Sequence, residues 1–202
     1  MFIEALARPK PVPGGGAAAA YGACVGLALL EKIVKVELQR SRDSSEAEWK
    51  NLLREVKKSS NTLLQLRDED GRTYVRFAQA KSVSKGKTEV LEALQQAIEC
   101  LVRIMEEASE AINFVARAGM YCKGHLLSDL LVVCELLSSA INGAHGIAQA
   151  NLSLMEASLE KSEYLDRLEQ LFSDSRALYK SVGSALMHRA GFGQANSPWK
   201  YK

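Results

Sequence analysis

Apolar residues recur along this chain at the steps of three and four that mark one face of a helix, and nowhere alternate long enough to mark a strand. The clearest run is Leu91, Leu94, Ile98, Leu101, Met105, Ala108, Ile112 and Val115, an unbroken seam suited to antiparallel packing. That helix is expected to end around Gly119. A second stripe starts near Glu46 with Leu52, Val56, Leu63 and Leu66, and continues through Asp70 to Tyr74 and Phe77, which sets Asp70 on the buried face. Two segments are apolar on nearly every side: the first half of a helix that runs from Ala17 to about Arg40, and Ser128-Asp129 to about Met155, whose only charges are Asp129 and Glu135. Helices of that kind belong at the centre of a bundle or at a subunit contact. A final helix is expected from about Ser162 to His188, and a short lead-in helix from Phe2 to Ala7 ahead of Pro9. The stretch from Gln79 to Lys87, with Ser, Gly and three lysines, reads as a loop, and Ser44 or Ser45 as an N-cap. The pattern predicts an all-α fold: one domain, residues 1–190, built as a bundle of about five long helices, with an extended tail over 191–202.

Composition narrows the class without changing it. The chain has 202 residues and is 47% apolar, enough for a core. Its net charge is +2 with acids and bases interspersed, which argues against a nucleic-acid surface. Cys24, Cys100, Cys122 and Cys134 form no CxxC pair; they read as reduced, mostly core cysteines of a cytoplasmic protein. Met1-Phe2-Ile3-Glu4 lacks the charged start of a signal peptide. The uncharged run from Ala17 to Leu30 is too short to span a bilayer and is followed by Glu31, Lys32 and Lys35, so no membrane segment is expected. His145 and His188 have no acidic or cysteine partner at ligand spacing, so no metal is expected either.

Candidate chemistry centres on Pro11-Val12-Pro13-Gly14-Gly15-Gly16 and the alanines that follow. Gly14, Gly15 and Gly16 allow unusual backbone angles and close approach of a ligand, and the helix they open has unpaired N–H groups that suit a carboxylate, a phosphate or a ring oxygen. A close-packed turn that lets the helix touch a neighbour reads equally well. Asp70 is costly on an apolar stripe unless it is a hydrogen-bond hub or an acid–base group of raised pKa, and repulsion from Asp68 is expected to add to that rise. Asp129 is either a capping-region acid behind an N-cap Ser128 or a catalytic group. His125, in the turn before it, is a candidate proton shuttle, and Lys35 a candidate partner for a buried acid or an anionic ligand.

Three motifs together carry a family resemblance. They are Pro11-x-Pro13-Gly14-Gly15-Gly16 before small residues, Asp68-Glu69-Asp70 with Tyr74 four residues on, and Ser128-Asp129 opening a small-residue helix that reaches Asn151-Leu152. In that order they resemble the cyclodeaminase/cyclohydrolase family, which includes the cyclodeaminase domain of formiminotransferase-cyclodeaminase and stand-alone methenyltetrahydrofolate cyclohydrolase-like proteins. The resemblance extends to about Met155. It implies an all-helical homodimer with a tetrahydrofolate derivative as substrate in a cleft near the subunit contact. It implies either closure of 5-formiminotetrahydrofolate with loss of ammonia or addition of water to the methenyl carbon. Asp70 and Asp129 are then expected to move protons or hold ring nitrogens, with Gly14, Gly15 and Gly16 shaping the pocket wall. Lys35 is expected to meet the glutamate tail, and Asp68, Tyr74 and His125 to contact substrate. The alternative is a non-catalytic helical homologue that binds folate or a partner. Three positions depart from the family pattern: Ala17 replaces the usual Ser, Val36-Glu37-Leu38-Gln39-Arg40 replaces Leu-Thr-x-Gly-Lys, and Cys122-Lys123-Gly124-His125 replaces Gly-Asn-x-Asn.

Overall fold

A computed structural model of the chain describes residues 1–40, 46–82 and 86–191. A five-residue helix, α1 (Phe2–Leu6), leads in. Five long helices follow: α2 (Gly15–Arg40), α3 (Glu46–Ser82), α4 (Lys87–Tyr121), α5 (Leu127–Ser153) and α6 (Leu159–Arg189), with a 3₁₀ turn at Gly124–Leu126 before α5. Short connections make sequential helices antiparallel neighbours. The α2, α3, α4 and α5 helices form a four-helix ring closed by α2 against α5, and α6 lies along the outer groove of α4 and α5. No strand occurs among the described residues, and the all-α bundle expected from the apolar periodicity is the observed fold.

The seam on α4 is the core. From Leu94 to Val115 each of its predicted positions is buried, and only Leu91 at the start is partly exposed. Gly26 lets α2 lie close to α5: a Cβ there would be 3.3 Å from the Leu136 Cβ and 3.5 Å from the Val133 carbonyl. By length and composition alone, α2 and α5 are each apolar enough to cross a bilayer, which the run from Ala17 to Leu30 did not suggest. About half of each apolar window is buried against the chain's own helices (50% and 44%). The uncovered part includes Gly22, Val25 and Ala28 on α2 and Val132 on α5.

Several boundaries differ from expectation for local reasons. The α2 helix begins at Gly15, so two of the three glycines are helical. The α3 helix continues to Ser82, through part of the expected loop; the rest of that loop, 83–85, and the Ser44/Ser45 cap lie outside the described residues. The α5 helix takes Leu126 as its N-cap with no side-chain cap bond, so Ser128 is a first-turn residue and not the cap. The α6 helix starts before Ser162 because Ser158 caps it, its Oγ accepting the Lys161 N–H at 3.1 Å. On α3 the buried line runs Leu66, Thr73, Ala80, while Tyr74 is 46% exposed. Two successive steps of four, Leu66 to Asp70 to Tyr74, turn about 80° away from Leu66, whereas Thr73, seven residues on, stays within about 20° of it.

Candidate functional site

Asp70 meets the start of α2. Its Oδ2 accepts the Ala17 backbone N–H at 2.8 Å, across 53 residues of sequence. The first N–H groups of a helix have no partner within it. Asp70 supplies one for α2 from another helix. The carboxylate that the glycine-headed helix start was expected to attract is therefore the chain's own. Thr73 Oγ1 donates to the Asp70 carbonyl at 3.0 Å and fixes this turn of α3.

Of the three glycines, Gly16 serves this contact, and it does so through size. None of Gly14, Gly15 and Gly16 has a positive φ; among the described residues only Gly191 does. Gly16 is buried beneath the carboxylate, and a Cβ there would lie 2.1 Å from Asp70 Oδ1 and 2.9 Å from Leu101 Cδ2. Gly15 is exposed, and its Cβ would meet only the tip of Ile147 at 2.9 Å. At Gly14 a Cβ would make an ordinary contact, 3.6 Å from the Pro11 carbonyl oxygen.

Burial pushes the Asp70 carboxyl above its ordinary pKa, and the Ala17 N–H pulls part of the way back. Asp68 has no share in that rise. It faces solvent and is held by Arg67 at 2.8 Å, which lowers its own pKa. Asp70 Oδ1 accepts no hydrogen bond from a described residue and is not sealed from solvent. A cleft of about 400 Å³ opens between α3 and α4, lined by Glu69, Arg72, Thr73, Arg76, Gln96, Glu99 and Cys100; it takes in the chain neighbours of Asp70 but not Asp70 itself. Arg103 holds Glu69 at 3.1 Å and Arg76 bonds Gln96, while Arg72 has no hydrogen-bond or ion-pair partner among the described residues.

The other predicted residues gather at the far end of α2. Asp129 sits in the first turn of α5, 3.7 Å from Lys32 Nζ. Lys35 pairs with Glu31 on its own helix at 2.7 Å, so it does not reach a buried acid. His125 Nε2 is 3.3 Å from Arg40 in the exposed 3₁₀ turn. Glu37, which sequence reasoning did not single out, is 4% exposed there; it accepts the Lys123 N–H at 3.2 Å and lies 3.6 Å from Arg40. Its signal was present, because Glu37 continues the Leu30, Ile33, Val34 line at helical spacing. Lys32 follows Ala17 by fifteen residues, which is about 22 Å along a helix. Within one chain, Asp70 and Asp129 therefore belong to two separate centres. No group of three or more His, Cys, Asp or Glu gathers at metal-binding range among the described residues.

Comparison with known proteins agrees with the motifs. A model of the formiminotransferase-cyclodeaminase family matches residues 1–170. Formimidoyltransferase-cyclodeaminase of Mus musculus is 25% identical over 188 residues, covering 87% of this chain and 34% of the relative. The Gallus gallus protein of the same name is 24% identical over 199 residues, covering 92% of this chain and 35% of its own length. The chain thus spans about a third of the curated relatives it matches. The crystal structure of formiminotetrahydrofolate cyclodeaminase from Thermotoga maritima superposes with a TM-score of 0.83 at 16% identity, over 95% of this chain and 94% of that one, so the two share a fold. The chain belongs to the formiminotransferase-cyclodeaminase family.

Proposed function

We propose that the protein is an enzyme acting at the one-carbon bridge of tetrahydrofolate, as a formiminotetrahydrofolate cyclodeaminase or a methenyltetrahydrofolate cyclohydrolase. The observation that carries this reading is Asp70: a carboxyl of raised pKa, fixed through one oxygen and open at the other. Cyclodeamination requires N10 to attack the formimino carbon, a proton to reach the departing nitrogen, and the carbon–nitrogen bond to ammonia to break. Hydrolysis requires a water to lose a proton as it adds to the methenyl carbon, and N5 to gain one as its bond to that carbon breaks. Both pass through a tetrahedral carbon between nitrogens, and Oδ1 of Asp70 is the group to take or give that proton. Gly14, Gly15 and Gly16 form the wall beside it, and Tyr74, exposed one turn further on, offers a ring face for the substrate.

The 22 Å or so between the two centres has a consequence for assembly. The uncovered apolar face of α2, around Val25, is of the kind that marks a contact between subunits. A second copy laid antiparallel on that face, related by a two-fold axis, carries its Asp129, Lys35 and His125 end towards Asp70. In this homodimer the partner's cluster binds the anionic tail of the substrate, and Asp129 holds a ring nitrogen.

The test is spectroscopic. Purified protein is mixed with methenyltetrahydrofolate and, separately, with formiminotetrahydrofolate, and the methenyl absorbance is followed. The enzyme accelerates its loss in the first case or its appearance in the second. If the protein binds both folates and changes neither rate, it is the non-catalytic homologue. If it binds neither, the folate reading fails.

A further inference from the structure

The groove between α5 and α6 encloses about 570 Å³ and is built from a different face of α5 than the one that meets α2. Its α6 wall lies beyond residue 170, where the match to the family ends. Within it, Arg176 is held by a stack that begins in the core. His145, 7% exposed, lies flat against Phe172 with ring centroids 3.8 Å apart, and its Nε2 is 3.0 Å from Glu169. The Arg176 guanidinium sits over the Phe172 ring at 5.5 Å. Stacking leaves the N–H edge of an arginine free for planar anions, and no carboxylate among the described residues takes that edge. Lys180, one turn on, likewise has no hydrogen-bond or ion-pair partner among them.

The rest of the groove has the same bias. Among the described residues its one acid is Glu135, which already accepts the Tyr179 hydroxyl. The side chains of Ser138, Asn142 and Ser184 face it without a hydrogen bond to any described residue. A Cβ on Gly183 would meet nothing within 4 Å, so the middle of the groove is open. Leu131 and Met187 close the far end, about 16 Å along α6 from Arg176. A concave site with two cations unpaired among the described residues, Arg176 and Lys180, and a single carboxylate already bonded to Tyr179 is net positive, and its hydroxyl and amide groups can add donors to a bound anion.

We propose that this groove binds an elongated small organic anion. Arg176, Lys180 and Asn142 hold its phosphate or carboxylate, and Leu131 and Met187 meet its apolar end. The site is independent of the folate reading and is tested without turnover. Titration calorimetry on the full chain at low salt uses n-hexyl phosphate, heptanoate and inorganic phosphate as probes. Saturable binding of hexyl phosphate or heptanoate is expected, and whichever binds tighter identifies the head group. Affinity should fall at least about tenfold in Arg176→Met/Lys180→Met, two exposed positions that the fold tolerates. Lys50→Met/Lys57→Met, with the same loss of charge elsewhere, should leave it within about twofold. The proposal is overturned if neither organic anion binds below about 10 mM. It is also overturned if the two double variants weaken binding equally, or if inorganic phosphate binds as tightly as the longer ligands.

Discussion

Gly16→Ala probes the contact on which the Asp70 centre rests. The added methyl would stand 2.1 Å from Asp70 Oδ1, 2.6 Å from its Cγ and 2.9 Å from Leu101 Cδ2. Asp70 has to swing away and release the Ala17 N–H, the loss of a helix cap worth about 1 kcal/mol. Overpacking against Leu101 adds about 1–3 kcal/mol. The gain in helix propensity from Gly to Ala offsets at most about 1 kcal/mol. The net cost is about 2 kcal/mol, or about 4–8 °C in Tm for a chain of this size. Thermal unfolding followed by circular dichroism measures it. Asp70→Ala as a second background isolates the cause, because removing the carboxylate leaves only the Leu101 contact and shrinks the cost of Gly16→Ala. A Gly16→Ala protein as stable as the parent, or a cost unchanged in the Asp70→Ala background, would refute the reasoning.

Three further outcomes follow from the same structure. Val25→Lys puts a charge on the uncovered face of α2, and light scattering should then return the mass of one chain where the parent returns two; a parent of single-chain mass at micromolar concentration overturns the dimer. Burial pushes the thiols of Cys100 and Cys134 up to about 12 and that of Cys24 to about 11, so the folded protein should resist iodoacetamide through pH 9 while the unfolded chain labels promptly; rapid native labelling would contradict this. The folded-state pKa of Asp70 lies above its unfolded value, so the stability this carboxyl contributes is fully present below pH 3.8 and is lost as pH rises through the raised pKa. Asp70→Asn should therefore gain stability relative to the parent as pH climbs through that window, and a pH-independent difference between the two would count against the shift.

Much of this was legible in the sequence because it is periodic. The seam from Leu91 to Val115 fixes one face of α4 by spacing alone, and the two apolar helices are read as bundle members, although each leaves about half of its apolar window uncovered. Asp70 stood out because a carboxylate on an apolar stripe needs a reason. The reason itself, a cap for a helix that begins 53 residues earlier, depends on two helices crossing and leaves no local trace. The same holds for Gly16, whose missing side chain is explained by Asp70 and Leu101 and not by its backbone angles. Tyr74 leaves the buried face because two consecutive steps of four, each about 40° past a full turn, carry the stripe off the Leu66, Thr73, Ala80 line. The pairing of Lys35 with Glu31 was readable, since the two are four residues apart on one helix. Asp129 could be assigned to the start of a helix, but not to the end of α2 opposite Asp70.

The central claim is that Asp70 moves the proton at the one-carbon bridge, and turnover by Asp70→Asn tests it most directly. Asparagine keeps an oxygen to accept the Ala17 N–H, so fold and folate affinity should persist. The kcat should fall by about a hundredfold or more with KM little changed, the pattern of a group that acts in the transition state. Asp129→Asn is the comparison: its 3.7 Å pair with Lys32 is exposed, so its loss should cost less than about 1 kcal/mol of stability, and a group that only holds substrate should raise KM while leaving kcat near the parent's. A folded Asp70→Asn protein with the parent's kcat would contradict the account.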